Sequence, residues 1–200
     1  MNITETSIPG RNVVWESILD EVPGGVSVDV TRLDYTADDK EYLPAGTPVY
    51  VDLSTRVAEV CKSAAAAASG TDTTVILPKE HHFKVGDSIT DFAYCRIISD
   101  ITEGDDTDTL TVPSGLITAS GTVYGEAAAG AASAYASSLK YTPNGMLKDK
   151  IRIAEGNADG AVVKIGSARE DALTFPIPDT YQIALRGGSS GTGTSLITLV

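Results

Sequence analysis

The sequence predicts a mainly β protein. Apolar residues alternate with polar ones at a period of two in several short runs. Turn residues punctuate those runs at close intervals, with 19 Gly and 9 Pro in 200 residues. Two small-residue tracts, KSAAAAASG (62–70) and GEAAAGAASAYASS (125–138), bracket a strand-rich middle. Together these features predict a β-sandwich or barrel-like domain formed by residues 24–61 and 139–200. A small β-barrel module (71–124) is inserted into it, with 62–70 and 125–138 as linkers and 1–23 as an N-terminal arm.

Taken in order, the arm is polar at first and then carries VVWESILDEV. Val14, Ile18 and Val22 fall four apart, which fits one face of a short helix at best. Pro23-Gly24-Gly25 breaks that pattern. Two placements fit such an arm: against its own domain, or laid on a partner. Val26, Val28 and Val30 then alternate with Ser27, Asp29 and Thr31, as in a half-buried strand. The polar turn TADDKEY follows. After the Pro44–Gly46 turn, Val49, Val51 and Leu53 share a strand face. Ser54-Thr55-Arg56 turns the chain, and Val57 to Cys61 returns as the partner strand. A helix from Thr55 through Ala68 competes, because Ala is the best helix former.

The middle holds TTVILP, GDSITDF, CRIISDI and DTLTV, about five short strands separated by turns at Gly86-Asp87 and Gly104–Asp106. Beyond Ser138, Pro143-Asn144-Gly145 is a turn signal. Ile151 and Ile153 alternate with Lys150 and Arg152. Asn157 to Gly160 reads as another turn, and AVVKIG as a strand. Pro176 and Pro178 before DTYQIALR, and Gly187 after it, punctuate a short helix with Tyr181 and Leu185 on one face. The closing SLITLV is a strand tucked into a sheet, its own or a neighbour's.

The net charge is −12 and the isoelectric point about 4.4. Such a field repels phosphate, so neither nucleic acid nor an anionic membrane is an expected partner. It suits a protein displayed in many copies. No apolar run approaches the length of a membrane span, and MNITETSIPGRN has no signal-peptide pattern, so the chain is expected to act or assemble where it is made. Cys61 and Cys95 sit among apolar neighbours. They read as buried reduced thiols, with a structural disulfide as the alternative.

No residue spacing marks a catalytic site, and no cofactor or metal is expected. His81 and His82 are adjacent, so in a strand they face opposite sides and cannot share a metal without a bulge. They read as a polar strand start. Glu103, Asp105, Asp106 and Asp108 lack the spacing of a calcium loop and read as a solvated hairpin tip. The glycine-rich GGSSGTGTS has no lysine or following helix for phosphate and reads as a flexible loop. The arginines are scattered. The expectation is a protein that is not an enzyme.

LPAGTPVYVDLSTR (43–56), HHFKVGDSI (81–89), LKYTPNGMLKDKIRI (139–153) and DALTFPIPDTYQIAL with LITLV (171–200) resemble, in that order, the head decoration and head-fibre proteins of tailed phages, including the lambdoid capsid-stabilising type. The resemblance implies a β-rich decoration domain on the capsid exterior of a virion, assembled in the host cytoplasm. Its implied partners are the major capsid protein, further copies in a homotrimer, and another head-fibre protein. The insert at 71–124 departs from the small lambdoid type. An arm could add a strand or helix to the capsid protein. The residues expected to make that contact are Arg11, Val13, Val14, Trp15 and Ile18, with Trp15 as anchor or, equally, as a plug on its own domain. A tail or baseplate module and a host-glycan-binding β module are the alternatives. The eight tyrosines are dispersed, which weighs against the glycan reading.

Overall fold

The computed structural model describes residues 14–35, 37, 40–128, 139–187 and 195–200. Its first strands are β1 (Trp15–Glu21), β2 (Val26–Asp29), β3 (Tyr42–Leu43), β4 (Pro48–Asp52), β5 (Val57–Val60) and β6 (Ser63–Ala65). Then come β7 (Thr74–Pro78), β8 (Ser88–Thr90), β9 (Cys95–Ile97), β10 (Asp100–Glu103), β11 (Thr107–Thr111) and β12 (Val123–Glu126). The chain continues with β13 (Gly145–Leu147), β14 (Ile151–Arg152), β15 (Ala158–Gly160), β16 (Val162–Ala168), the helix α1 (Asp179–Leu185) and β17 (Leu196–Leu199). The fold is mainly β, as the alternation predicts.

The largest sheet runs β1-β16-β13-β4-β5-β2-β15 and curls into a half-barrel. Strand β17 lies parallel to β16 beside the end of β13. Val26, Val28, Val49, Val51, Val60, Leu147 and Val162 form one buried cluster on this sheet, while Ser27 and Asp29 stay half-exposed. The predicted hairpin forms as β4 and β5, with Arg56 at φ 57° in the turn. Strand β5 pairs with β4 on one edge and β2 on the other, and this double ladder outweighs the helix preference of the alanines that follow. Leu53 lies past the end of β4 and is exposed instead of sharing the face of Val51.

A second core comprises Val75, Leu77, Phe83, Ile89, Ile98, Leu110 and Tyr124, among others. Two small sheets supply it, β10-β11-β7 and β6-β12-β8-β9. The tracts read as linkers are built into this body. Ser63–Ala65 pairs antiparallel with Val123–Gly125, so the chain enters and leaves through neighbouring strands. Glycine is needed at position 125, because a Cβ there would lie 2.9 Å from the Phe92 ring and 3.2 Å from the Tyr181 hydroxyl. Residues 129–138 lie outside the described residues. A third cluster packs α1 and β17 against Val14, Cys61 and Met146, with Tyr181 and Leu185 both facing inward as the helix pattern predicts.

Two elements differ in type from the sequence reading. Residues 15–21 form a strand, not a helix. Strand β1 pairs with β16 through three register shifts, and half-buried positions recur at Trp15, Ile18 and Glu21. Each bulge resets the two-residue alternation, and the resulting spacing imitates a helical face. Residues 158–160, read as part of a turn, form β15 on the edge of β2. The segment leading into it is anchored by the Asn157 side-chain carbonyl, which accepts the Val30 N–H at 3.1 Å.

Gly46 sits in the turn before β4 at φ 81°, and a Cβ there would lie 2.4 Å from Leu173 Cδ2 and 2.9 Å from Val14 Cγ1. Gly46→Ala is expected to lower stability by about 1–3 kcal/mol, read as a lower urea midpoint at unchanged slope.

Candidate functional site: a buried ionic seam

The two main cores meet along a seam of ionised side chains. The loop after β2 brings Arg32, Asp34 and Lys40 to the seam. The loop after β7 brings His81, His82 and Asp87, and β5, β11 and β12 bring Glu59, Asp108 and Glu126. Lys62, between β5 and β6, completes it.

One half centres on Glu126, which is 2% exposed. Arg32 Nη1 reaches its two oxygens at 3.2 and 3.3 Å, and Lys140 Nζ donates at 2.6 Å. Lys62 Nζ lies 3.9 Å away and donates to Asp87 Oδ2 at 2.5 Å and to the Arg32 carbonyl at 2.6 Å. Arg32 also bonds Glu59 and covers the Tyr141 ring at 4.4 Å. Three cations thus meet three carboxylates. Burial pushes the Lys62 ammonium below its ordinary range, against the pull of Glu126 and Asp87.

The other half centres on Lys40, whose Nζ donates to Asp34 Oδ2 at 2.7 Å and Asp108 Oδ2 at 2.9 Å. Burial pulls this ammonium down, but the two carboxylates more than reverse that and hold it above its ordinary range. His81 Nδ1 accepts the Phe83 N–H at 3.2 Å, so the neutral ring carries its proton on Nε2, 3.1 Å from Asp108 Oδ2 but off the hydrogen-bonding direction. His82 Nδ1 donates to the Asp34 carbonyl at 2.7 Å, while its buried Nε2 has no partner among the described residues. Burial, the largest influence, holds both rings below the ordinary imidazole range, His81 at about 4.

The histidines are therefore not a polar strand start: they lie in no strand, and both are buried beyond the end of β7. Asp108 also departs from its reading as part of a solvated tip. Glu103, Asp105 and Asp106 are exposed, but Asp108 points inward with Leu110. The two-residue period of TDTLT contains that signal, because positions 108 and 110 share a face. Lys40 and Glu126 had no such marker, since a polar turn and an alanine-rich tract surround them. Among the described residues no cluster of three or more His, Cys, Asp or Glu is arranged to hold a metal ion. Cys61 and Cys95 are buried free thiols, and burial pushes that of Cys61 far up.

The expected partner-contact residues lie elsewhere. Arg11 and Val13 fall outside the described residues. Val14 is buried in the third cluster. Trp15 packs on that cluster and its indole N–H donates to the Lys148 carbonyl at 2.9 Å. Ile18 is half-buried on β1. An open groove of about 870 Å³ lies between the second core and the segment 170–182, lined by Phe92, Leu173 and Phe175 with Asp91, Glu170 and Asp179. Phe92 sits at φ 66°, held by the N–H it donates to Thr90 Oγ1 and by its edge-on contact with Tyr181. Residues 188–194 of the glycine-rich stretch lie outside the described residues. Compared with protein-family models, curated proteins and solved structures, the chain matches none.

Two predictions test the seam. Glu126→Ala leaves Arg32, Lys62 and Lys140 without their shared carboxylate and is expected to cost about 3–5 kcal/mol, measured by urea unfolding. The histidines make stability fall with acid. Their folded pKa values lie below the unfolded value near 6.5, so the folded state binds fewer protons. Their contribution is complete above about pH 6.5 and is lost as pH falls toward 4, on the order of 3 kcal/mol from His81. His81→Asn is expected to flatten the dependence of the urea midpoint between pH 6.5 and 5.

Proposed function

We propose that this protein is a non-catalytic structural component of a phage virion, seated on the outer surface of the capsid and stabilising contacts between major capsid subunits. The observation that carries the reading is the outer edge of β1. Among the described residues β1 pairs only with β16, so a seven-residue strand presents its other edge at the end of the large sheet. Leu19 on that strand is 77% exposed. Such an edge can accept a strand from a shell subunit, with main-chain hydrogen bonds giving affinity and Leu19 an apolar contact.

This placement revises the role of the arm. Trp15 and the last strand, β17, are committed to the protein's own sheet, so neither is free to anchor the protein. Contact with the shell then falls to the β1 edge and to the preceding residues, including Arg11 and Val13. Strong negative charge supports solubility at the density of a decorated shell. The sequence resemblance supports the same assignment, including assembly as a homotrimer and a place beneath a head fibre. The buried charges join the cores to each other, which suits a part that bears load by contact. The groove at Phe92 and Phe175 favours a second reading, a host-glycan-binding module, because aromatic rings beside carboxylates suit a sugar's apolar face and hydroxyls. Reproducible hits on a glycan array would favour it.

The test uses heads of the carrying phage that lack this protein. Saturable co-sedimentation and a trimeric mass in analytical ultracentrifugation are expected. A monomer that ignores the heads removes the proposal. Leu19→Glu is expected to weaken head binding by roughly tenfold or more, about 1.4 kcal/mol, with the urea midpoint unchanged.

A further inference from the structure

The Lys40 half of the seam has the geometry of a reactive pair as well as an ion pair. Lys40 and Asp108 are each 1% exposed. Lys40 Nζ stands 2.9 Å from Asp108 Oδ2, one bond short of the carboxyl carbon. A second carboxylate, Asp34, accepts from the same ammonium at 2.7 Å. His81 Nε2–H lies 3.1 Å from the same Asp108 oxygen, while Asp108 Oδ1 is buried with no partner among the described residues. One carboxylate oxygen is thus crowded by proton carriers and the other is bare.

We propose that Lys40 and Asp108 condense into an intramolecular isopeptide bond, with Asp34 as the proton shuttle. The starting pair is an ammonium and a carboxylate. Asp34 takes one proton from Lys40 Nζ and delivers it to Asp108 Oδ2, giving a free amine and a carboxylic acid. The amine adds to the Asp108 carboxyl carbon, forming the C–N bond. Asp34 carries a second proton from nitrogen to the same Oδ2, the C–Oδ2 bond breaks, and water leaves. The third proton stays on the amide nitrogen, Oδ1 becomes the amide carbonyl, and Asp34 ends as it began. No other reactant is consumed.

Three physical effects favour the step. The reacting atoms are held close in one rigid site, which replaces a bimolecular encounter. A buried ion pair gives way to a neutral amide, which removes the desolvation cost of two charges. A bare oxygen is also less costly on an amide than on a carboxylate. The opposing effect is that two carboxylates keep Lys40 protonated at neutral pH, so the reaction is slow. The product would tie the loop after β2 to β11, turning the seam between two cores into a covalent link. This inference does not rest on the capsid reading, and its test needs no capsid.

The experiment is intact mass spectrometry of the purified, denatured and reduced full chain, fresh and after prolonged incubation at pH 7.5. The expected mass is lower than that of the sequence by one water. Proteolysis with tandem mass spectrometry should recover a branched peptide joining the segments of Lys40 and Asp108. Lys40→Arg and Asp108→Ala should each restore the full mass, and Asp34→Ala should slow or abolish the loss. Wild-type protein that keeps the full mass after incubation overturns the proposal. So does a loss of one water that persists in Lys40→Arg, which would place the dehydration elsewhere in the chain.

Discussion

The structure depends on opposite charges meeting where two apolar cores abut. Apolar contact is non-directional and would let those cores slide or rotate against each other. Arg32, Lys62 and Lys140 around Glu126, and Lys40 between Asp34 and Asp108, allow one relative placement. Burying these groups is expensive, and a hydrophobic seam of the same volume could be as stable or more so. What the ions supply is orientation. Each cation needs its carboxylate within hydrogen-bonding distance, and a shift of one or two ångströms would strand a charge in a dry environment.

Strand β16 has the corresponding role within the large sheet. One of its edges carries β1, and the other is shared by β13 and β17. The beginning, middle and end of the chain are thereby gathered on one strand. That arrangement holds Val14 and Trp15 against the body and, among the described residues, leaves the outer edge of β1 unpaired. The acidic character of the chain, its sheet edge and its internally spent charges are compatible with one another in a protein that works by contact.

Much of this architecture is legible from residue pattern. The Val26-Val28-Val30 alternation, the β4–β5 hairpin and the strands of the second core depend on local periodicity and turn chemistry. So does α1, framed by Pro178 and Gly187. The misreadings share a cause. The bulges of β1 overwrite the two-residue period and mimic a helix. The residues of β15 carry turn-forming chemistry, yet β2 and the Asn157 anchor hold them extended. Ser63–Ala65 and Gly125 belong to tracts that look like linkers, because small side chains announce neither burial nor pairing. At Gly125 the Phe92 ring and the Tyr181 hydroxyl come too close for a side chain.

The candidate site divides in the same way. Pattern alone could have turned Asp108 inward, since it shares the face of Leu110. Nothing local identifies Lys40, Lys62 or Glu126 as buried, because a charged residue in a polar or alanine-rich stretch looks solvated until its partner is known. Those partners lie far along the chain: Lys40 and Asp108 are 68 residues apart, and Arg32 and Glu126 are 94 apart. The amino-acid order by itself determined the mainly β class, the positions of most strands and the strong negative charge. These follow from near-neighbour sterics, side-chain alternation and composition. Only the tertiary structure decided which charges are buried together, which strands share an edge and which edge of β1 is unpaired among the described residues. Each of those outcomes depends on long-range encounters whose energy no single segment contains.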